Sequence, residues 1–80
     1  MPRQHSASEY KQLQILLRQI RIEAGLKQTE LAEQLGKPQS FVSKYESGER
    51  RLDVLELCQV CEAVGITMEE FVRRLKAVLR

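Results

Sequence analysis

The residues with most chemistry to offer stand together in one short stretch. Between Pro38 and Gly48 the chain sets Gln39, Ser40, Ser43, Lys44 and Ser47 among Phe41, Val42 and Tyr45. On a helical wheel of about 100° per residue the three apolar side chains fall on one side and the polar ones on the other, with Glu46 at the boundary. The outer face has no acid at its centre, and its amide, hydroxyl and ammonium groups can donate to base edges and to phosphate oxygens. A face serving solubility alone would more often carry Glu–Lys pairs. Just beyond it, Arg50 and Arg51 add two guanidinium forks placed to meet a phosphate backbone, against the plainer reading of a solvated turn.

The remaining reactive residues form no constellation. Cys58 and Cys61 have the spacing of a redox or metal motif, yet no second Cys pair exists and the single histidine, His5, lies at the extreme N-terminus. A four-ligand zinc set of Cys and His therefore cannot be completed within one chain. Both cysteines also fall in mid-helix, away from the helix start whose dipole lowers a thiol pKa, so small apolar core filling is the default. Tyr45 could offer its hydroxyl to a phosphate, but its wheel angle places it in the core. No Ser-His-Asp set, Gly-rich phosphate loop or paired carboxylates occur. The chain is expected to be no enzyme and to need no metal or cofactor.

The elements that must position these residues are helical. Ser6 and Glu9 fit a capping box that starts a helix running to about Ala24, with Leu13, Leu17, Ile20 and Ala24 on one face and Gly25 as its stop. A second, two-turn helix spans about Gln28–Leu35, with Leu31, Ala32 and Leu35 inward and Gly36 after it. Pro38 then precedes the helix carrying the polar face, about Gln39–Ser47. Asp53 caps a fourth helix to about Val64 through a stripe of Val54, Leu57, Val60, Cys61 and Val64, and Thr67 with Glu70 opens a fifth. No alternation of strand type appears. Two short helices joined by a tight Gly-containing turn, the second with a polar outer face, make a helix-turn-helix.

Eighty residues, 42% hydrophobic and 30% charged, with four aromatic side chains and no Trp, make one small all-α domain with a core of Leu, Ile, Val and Ala. Residues 1–5 read as a tail and 6–80 as a single five-helix bundle, with the helix-turn-helix at 28–47 and a terminal helix at 67–80. No apolar run approaches the roughly 20 residues a membrane span needs, so no membrane association and a cytoplasmic location are expected. The net charge is only +2, so nucleic-acid affinity must come from local placement. Residues 52–66 carry a net −3, while residues 1–26, 27–51 and 67–80 carry net charges of +2, +1 and +2. The last helix carries a broad stripe of Met68, Phe71, Val72, Leu75, Val78 and Leu79. Its surplus points to a homodimer interface at Val72, Leu75, Val78 and Leu79. Ile15 and Ile22 form a second apolar pair, opposite the core face of the first helix, with no assigned role.

The string from Gln28 through Ala32, Gly36 and Val42 to Gly48, with Ile20-Arg21 before it and Leu57 to Ile66 after it, resembles the Cro and lambda-repressor type of helix-turn-helix, the Xre family. The resemblance implies a lambda-repressor-like DNA-binding domain acting on double-stranded DNA. By position it implies that Gln28 contacts a phosphate and braces Gln39, and that Gln39, Ser40, Ser43 and Lys44 face base edges, Gln39 suiting adenine. It implies a structural pair of Arg21 and Glu46. Phosphate contacts are expected from Lys27, which stands where a Ser or Thr cap is common, from Gln28 and Ser47, and from Arg50 and Arg51. A chain of this kind is expected to be a repressor-like regulator working as a homodimer on a pseudo-palindromic operator. The competing expectation is an antitoxin-like protein that binds a toxin and autoregulates its operon.

Overall fold

The computed structural model describes residues 7–79. They form five helices: α1 (Ala7–Glu23), α2 (Gln28–Leu35), α3 (Gln39–Ser47), α4 (Val54–Val64) and α5 (Met68–Val78). The expected tail at 1–5, the Ser6 cap and Arg80 lie outside the described residues. No helix among those described is long and apolar enough to cross a membrane.

Local chemistry sets the boundaries. Asp53 accepts from the Glu56 N–H while the Glu56 carboxylate takes the Asp53 N–H, a complete capping box. Thr67 accepts from the Glu70 N–H, but Glu70 turns its carboxylate to Arg73 instead of closing the box. At α2 the lysine in the cap position cannot accept a hydrogen bond, and Glu30 compensates by taking the Lys27 N–H at 2.8 Å. Gly36 ends α2 at φ 67°, and the next N–H, of Lys37, reaches back to the Ala32 carbonyl at 2.9 Å. That left-handed residue makes the sharp turn between α2 and α3 without a Cβ clash.

The core takes side chains from every helix: Leu16, Leu17 and Ile20 of α1, Leu31 and Ala32 of α2, Val42 and Tyr45 of α3, Val60 and Cys61 of α4, and Phe71 of α5. Burial pushes the Cys61 thiol up to about 11, so this side chain packs as a small hydrophobe rather than a thiolate. Tyr45 is 1% exposed and its hydroxyl has no partner among the described residues. Desolvation raises its pKa, which keeps it neutral.

Three expectations are corrected. Ala24 is exposed because α1 ends one residue earlier, and Leu16 takes a place in the core instead. Val54 is 69% exposed, since the first residue of α4 precedes the turn that meets its neighbours. Leu75 and Leu79 are not beyond the reach of their own domain. Helix α5 runs back antiparallel along α1, with Arg74 paired to Glu23 near the end of α1 and Leu79 near Tyr10 at its start. Leu75 packs against the core, and with Leu79, Leu13 and Tyr10 it lines a hollow of about 160 Å³. Of the four expected interface residues only Val72 and Val78 stay substantially exposed, at 41% and 42%.

Candidate nucleic-acid interface

Helix α3 packs on α2 and α1 through Val42 and Tyr45, and this contact turns its polar face outward. Gln39, Ser40 and Lys44 are exposed and Ser43 is half-buried on the same face. The half-buried Phe41 ring meets Tyr45 edge-on at 5.6 Å between centroids, fixing the inner face of the helix.

Behind the start of α3 runs a continuous polar chain. Arg21 holds Glu46 with two hydrogen bonds, Nε to Oε2 at 2.7 Å and Nη2 to Oε1 at 3.0 Å, and gives Nη1 to the Leu26 carbonyl at 2.8 Å. The two side chains keep only 9% and 4% of their exposure. The Glu46 hydrogen bond raises the Arg21 pKa despite desolvation, so the guanidinium stays charged. Gln28 donates its amide to Glu46 Oε1 at 3.0 Å, and Gln39 donates to Gln28 Oε1 at 3.4 Å. Gln39 is thus held from behind by one N–H, leaving its carbonyl oxygen and second N–H for the two-point contact that an adenine edge offers. Arg21 and Glu46 tie α1 to α3, and Gln28 carries that tie to the first residue of α3.

The cations divide into two groups. Lys27, Lys37 and Lys44 make no ion pair among the described residues, and they stand at the start of α2, in the α2–α3 turn and on α3 itself. Lys37 was not anticipated. Its ammonium lies 5.5 Å from the Phe41 ring centre, so it covers the ring while remaining a free charge. Arg50, expected as a phosphate contact, is engaged within the chain. It grips Glu56 with two bonds of 2.9 and 2.7 Å, gives another to the Arg51 carbonyl and stacks 4.7 Å over Phe41. The Arg50 guanidinium and the Asp53 N–H hold the Glu56 carboxyl down to about 2. Arg51 stacks 3.8 Å over Tyr10. Ser47, also expected at a phosphate, donates its hydroxyl to a Glu49 carboxylate oxygen at 3.1 Å and to the Lys44 carbonyl at 3.2 Å. Glu30 and Glu56 were legible as the third residue after each helix cap, whereas nothing in the spacing of Arg50 and Glu56 marks them as partners.

The family model described as Helix-turn-helix matches residues 17–71. The chain belongs to the Xre family of helix-turn-helix proteins. An XRE-family-like protein from Pseudomonas syringae pv. tomato is 44% identical, with 91% of this chain and 89% of that one covered at a TM-score of 0.82. A mutant of the restriction-modification controller protein C.Esp1396I shares the fold at 21% identity and TM-score 0.82, covering 92% of this chain and 100% of that one. The clp gene regulator ClgR from C. glutamicum is 25% identical over 86% of this chain and 88% of its own, at TM-score 0.76. No curated protein sequence matches at a significant level. This Xre-family chain is a DNA-binding transcription regulator, and the five helices with α2 and α3 as the helix-turn-helix are its DNA-binding domain.

Proposed function

We propose that the chain is a repressor-like regulator that occupies a pseudo-palindromic operator as a homodimer, with α3 of each copy in the major groove. The observation that carries this reading is the brace Glu46–Gln28–Gln39, which fixes an amide at the leading end of a helix whose outer face is all amide, hydroxyl and ammonium. Gln39, Ser40, Ser43 and Lys44 read base edges, while Lys27, Lys37 and the start of α2 at Gln28 meet phosphates. The gene-regulator role named for the ClgR neighbour agrees with this reading.

A monomer reaches one half-site, and pairing brings two recognition helices about 34 Å apart. The surface favoured for pairing is the start of α4, where Val54 and Leu55 are 69% and 75% exposed; α4 packs on α5, where Val72 is also exposed. Selection of binding sites from random duplex DNA by the purified protein tests the proposal. An inverted repeat with half-site centres about one helical turn apart is expected. Recovery of unrelated sequences would overturn it.

A further inference from the structure

The DNA-reading surface and the exposed start of α4 leave one apolar face unused. On α1, Lys11, Ile15, Arg18 and Ile22 recur at spacings of four, three and four residues and share one outer stripe. Ile15 and Ile22 are 50% and 48% exposed. Lys11 and Arg18 are exposed and make no ion pair among the described residues. Next to this stripe, Ile15 and Leu16 of α1 and Ala77 and Val78 of α5 line an open groove of about 280 Å³, edged by the amides of Gln12 and Gln19 and by Arg74. The groove is apolar along its floor, has amides on its rim and is flanked by unpaired cations.

We infer that the α1–α5 groove is a docking site for an acidic amphipathic helix of another protein, with apolar side chains on Ile15, Ile22 and Val78 and carboxylates on Lys11 and Arg18. Charge decides the occupant. The acid near this face, Glu23, is already held by Arg74 through bonds of 2.8 and 2.9 Å, so a two-fold contact of this face with a second copy would bring Lys11 and Arg18 against like charges with no free carboxylate to answer them. A lipid surface would answer the charge but would leave the concave floor unfilled, whereas a helix fills it as a ridge in a groove. Val78 and Val72 lie about 120° apart around α5, so this site and the proposed pairing surface are separate faces.

The test uses the full chain with a synthetic 18-residue amphipathic helix bearing Leu on one face and Glu on its flanks. A matched peptide with Lys for Glu and vesicles of anionic phospholipid are run beside it. Amide shifts are expected at Ile15, Gln19, Ile22, Ala77 and Val78 with the acidic peptide, and at least tenfold weaker binding to Ile15→Glu and to Arg18→Glu, both exposed changes, while operator affinity of these variants stays within twofold. Equal binding of the Lys peptide, shifts confined to other faces, preferential binding to vesicles, or dissociation of a dimer by Ile15→Glu would each overturn it.

Discussion

At the residue scale, a side chain's electrostatic partner decides what it can give to DNA. Gln39 and Lys44 are exposed on α3. Replacing either by Ala is expected to cost about 1–3 kcal/mol on the selected operator and to relax base preference at one position per half-site, measured by titration against single-base variants. Arg50 behaves differently because Glu56 already neutralises it. Glu56→Gln is therefore expected to tighten binding to all duplexes alike and to steepen the salt dependence by about one unit, as a guanidinium becomes free for a phosphate. An unchanged slope would show that Phe41 and the Arg51 carbonyl alone hold Arg50 in place. The same pair has a pH signature. Glu56 is depressed from 4.5 to about 2 in the folded chain, so its contribution to stability is full above about 4.5 and is lost as pH falls toward 2. Thermal melts of Glu56→Gln should lie below wild type at neutral pH and converge with it in that acid window.

At the scale of elements, α3 is oriented by two ties of different kinds. Apolar packing through Val42 and Tyr45 sets its depth, and the Arg21–Glu46 pair sets its rotation against α1. Removing one partner leaves a desolvated charge, so Arg21→Ala or Glu46→Ala should each destabilise by about 3 kcal/mol. The double mutant should lose less than the sum, because its second change removes the charge that the first one stranded. Additive losses below 1 kcal/mol in thermal melts would mean the pair carries no coupling. The end of α3 is equally constrained. Gly48 sits at φ 88°, and a Cβ there would meet the Gln14 side-chain nitrogen at 2.5 Å. Gly48→Ala is expected to cost about 1 kcal/mol from the left-handed backbone alone, and to displace the turn that carries Arg50.

For the whole molecule, the proposed pairing over two half-sites rests on the apolar surface that the five helices leave exposed. Large side chains as exposed as Val54 and Leu55 are worth about 1.5–3 kcal/mol each when buried, and a two-fold contact counts them twice. Leu55→Asp combined with Val54→Asp should give a monomer by sedimentation that keeps its helical circular dichroism and binds single half-sites weakly. The matching change Leu75→Asp should instead unfold the chain, because Leu75 packs on the core. A folded monomer from Leu75→Asp, with a folded dimer from the α4 pair, would return the interface to α5.

Helix positions, the glycine stops and the polar face of α3 follow from the sequence, because each rests on contacts within a few residues: a capping carboxylate, a left-handed glycine, a period of 3.6. The family followed too, through the joint pattern of Gln28, Ala32, Gly36 and Val42. Tertiary structure alone decided the rest. The sequence shows an apolar stripe on α5 but not which neighbour meets it, and the antiparallel return along α1 consumes Leu75 and Leu79 while leaving Val54 and Leu55 in water. It shows basic residues at Arg50 and Arg51 but not that Glu56 and the rings of Phe41 and Tyr10 take them up. Local periodicity fixes which face of a helix is apolar, whereas the partner of a long charged side chain depends on how separate helices are placed in space.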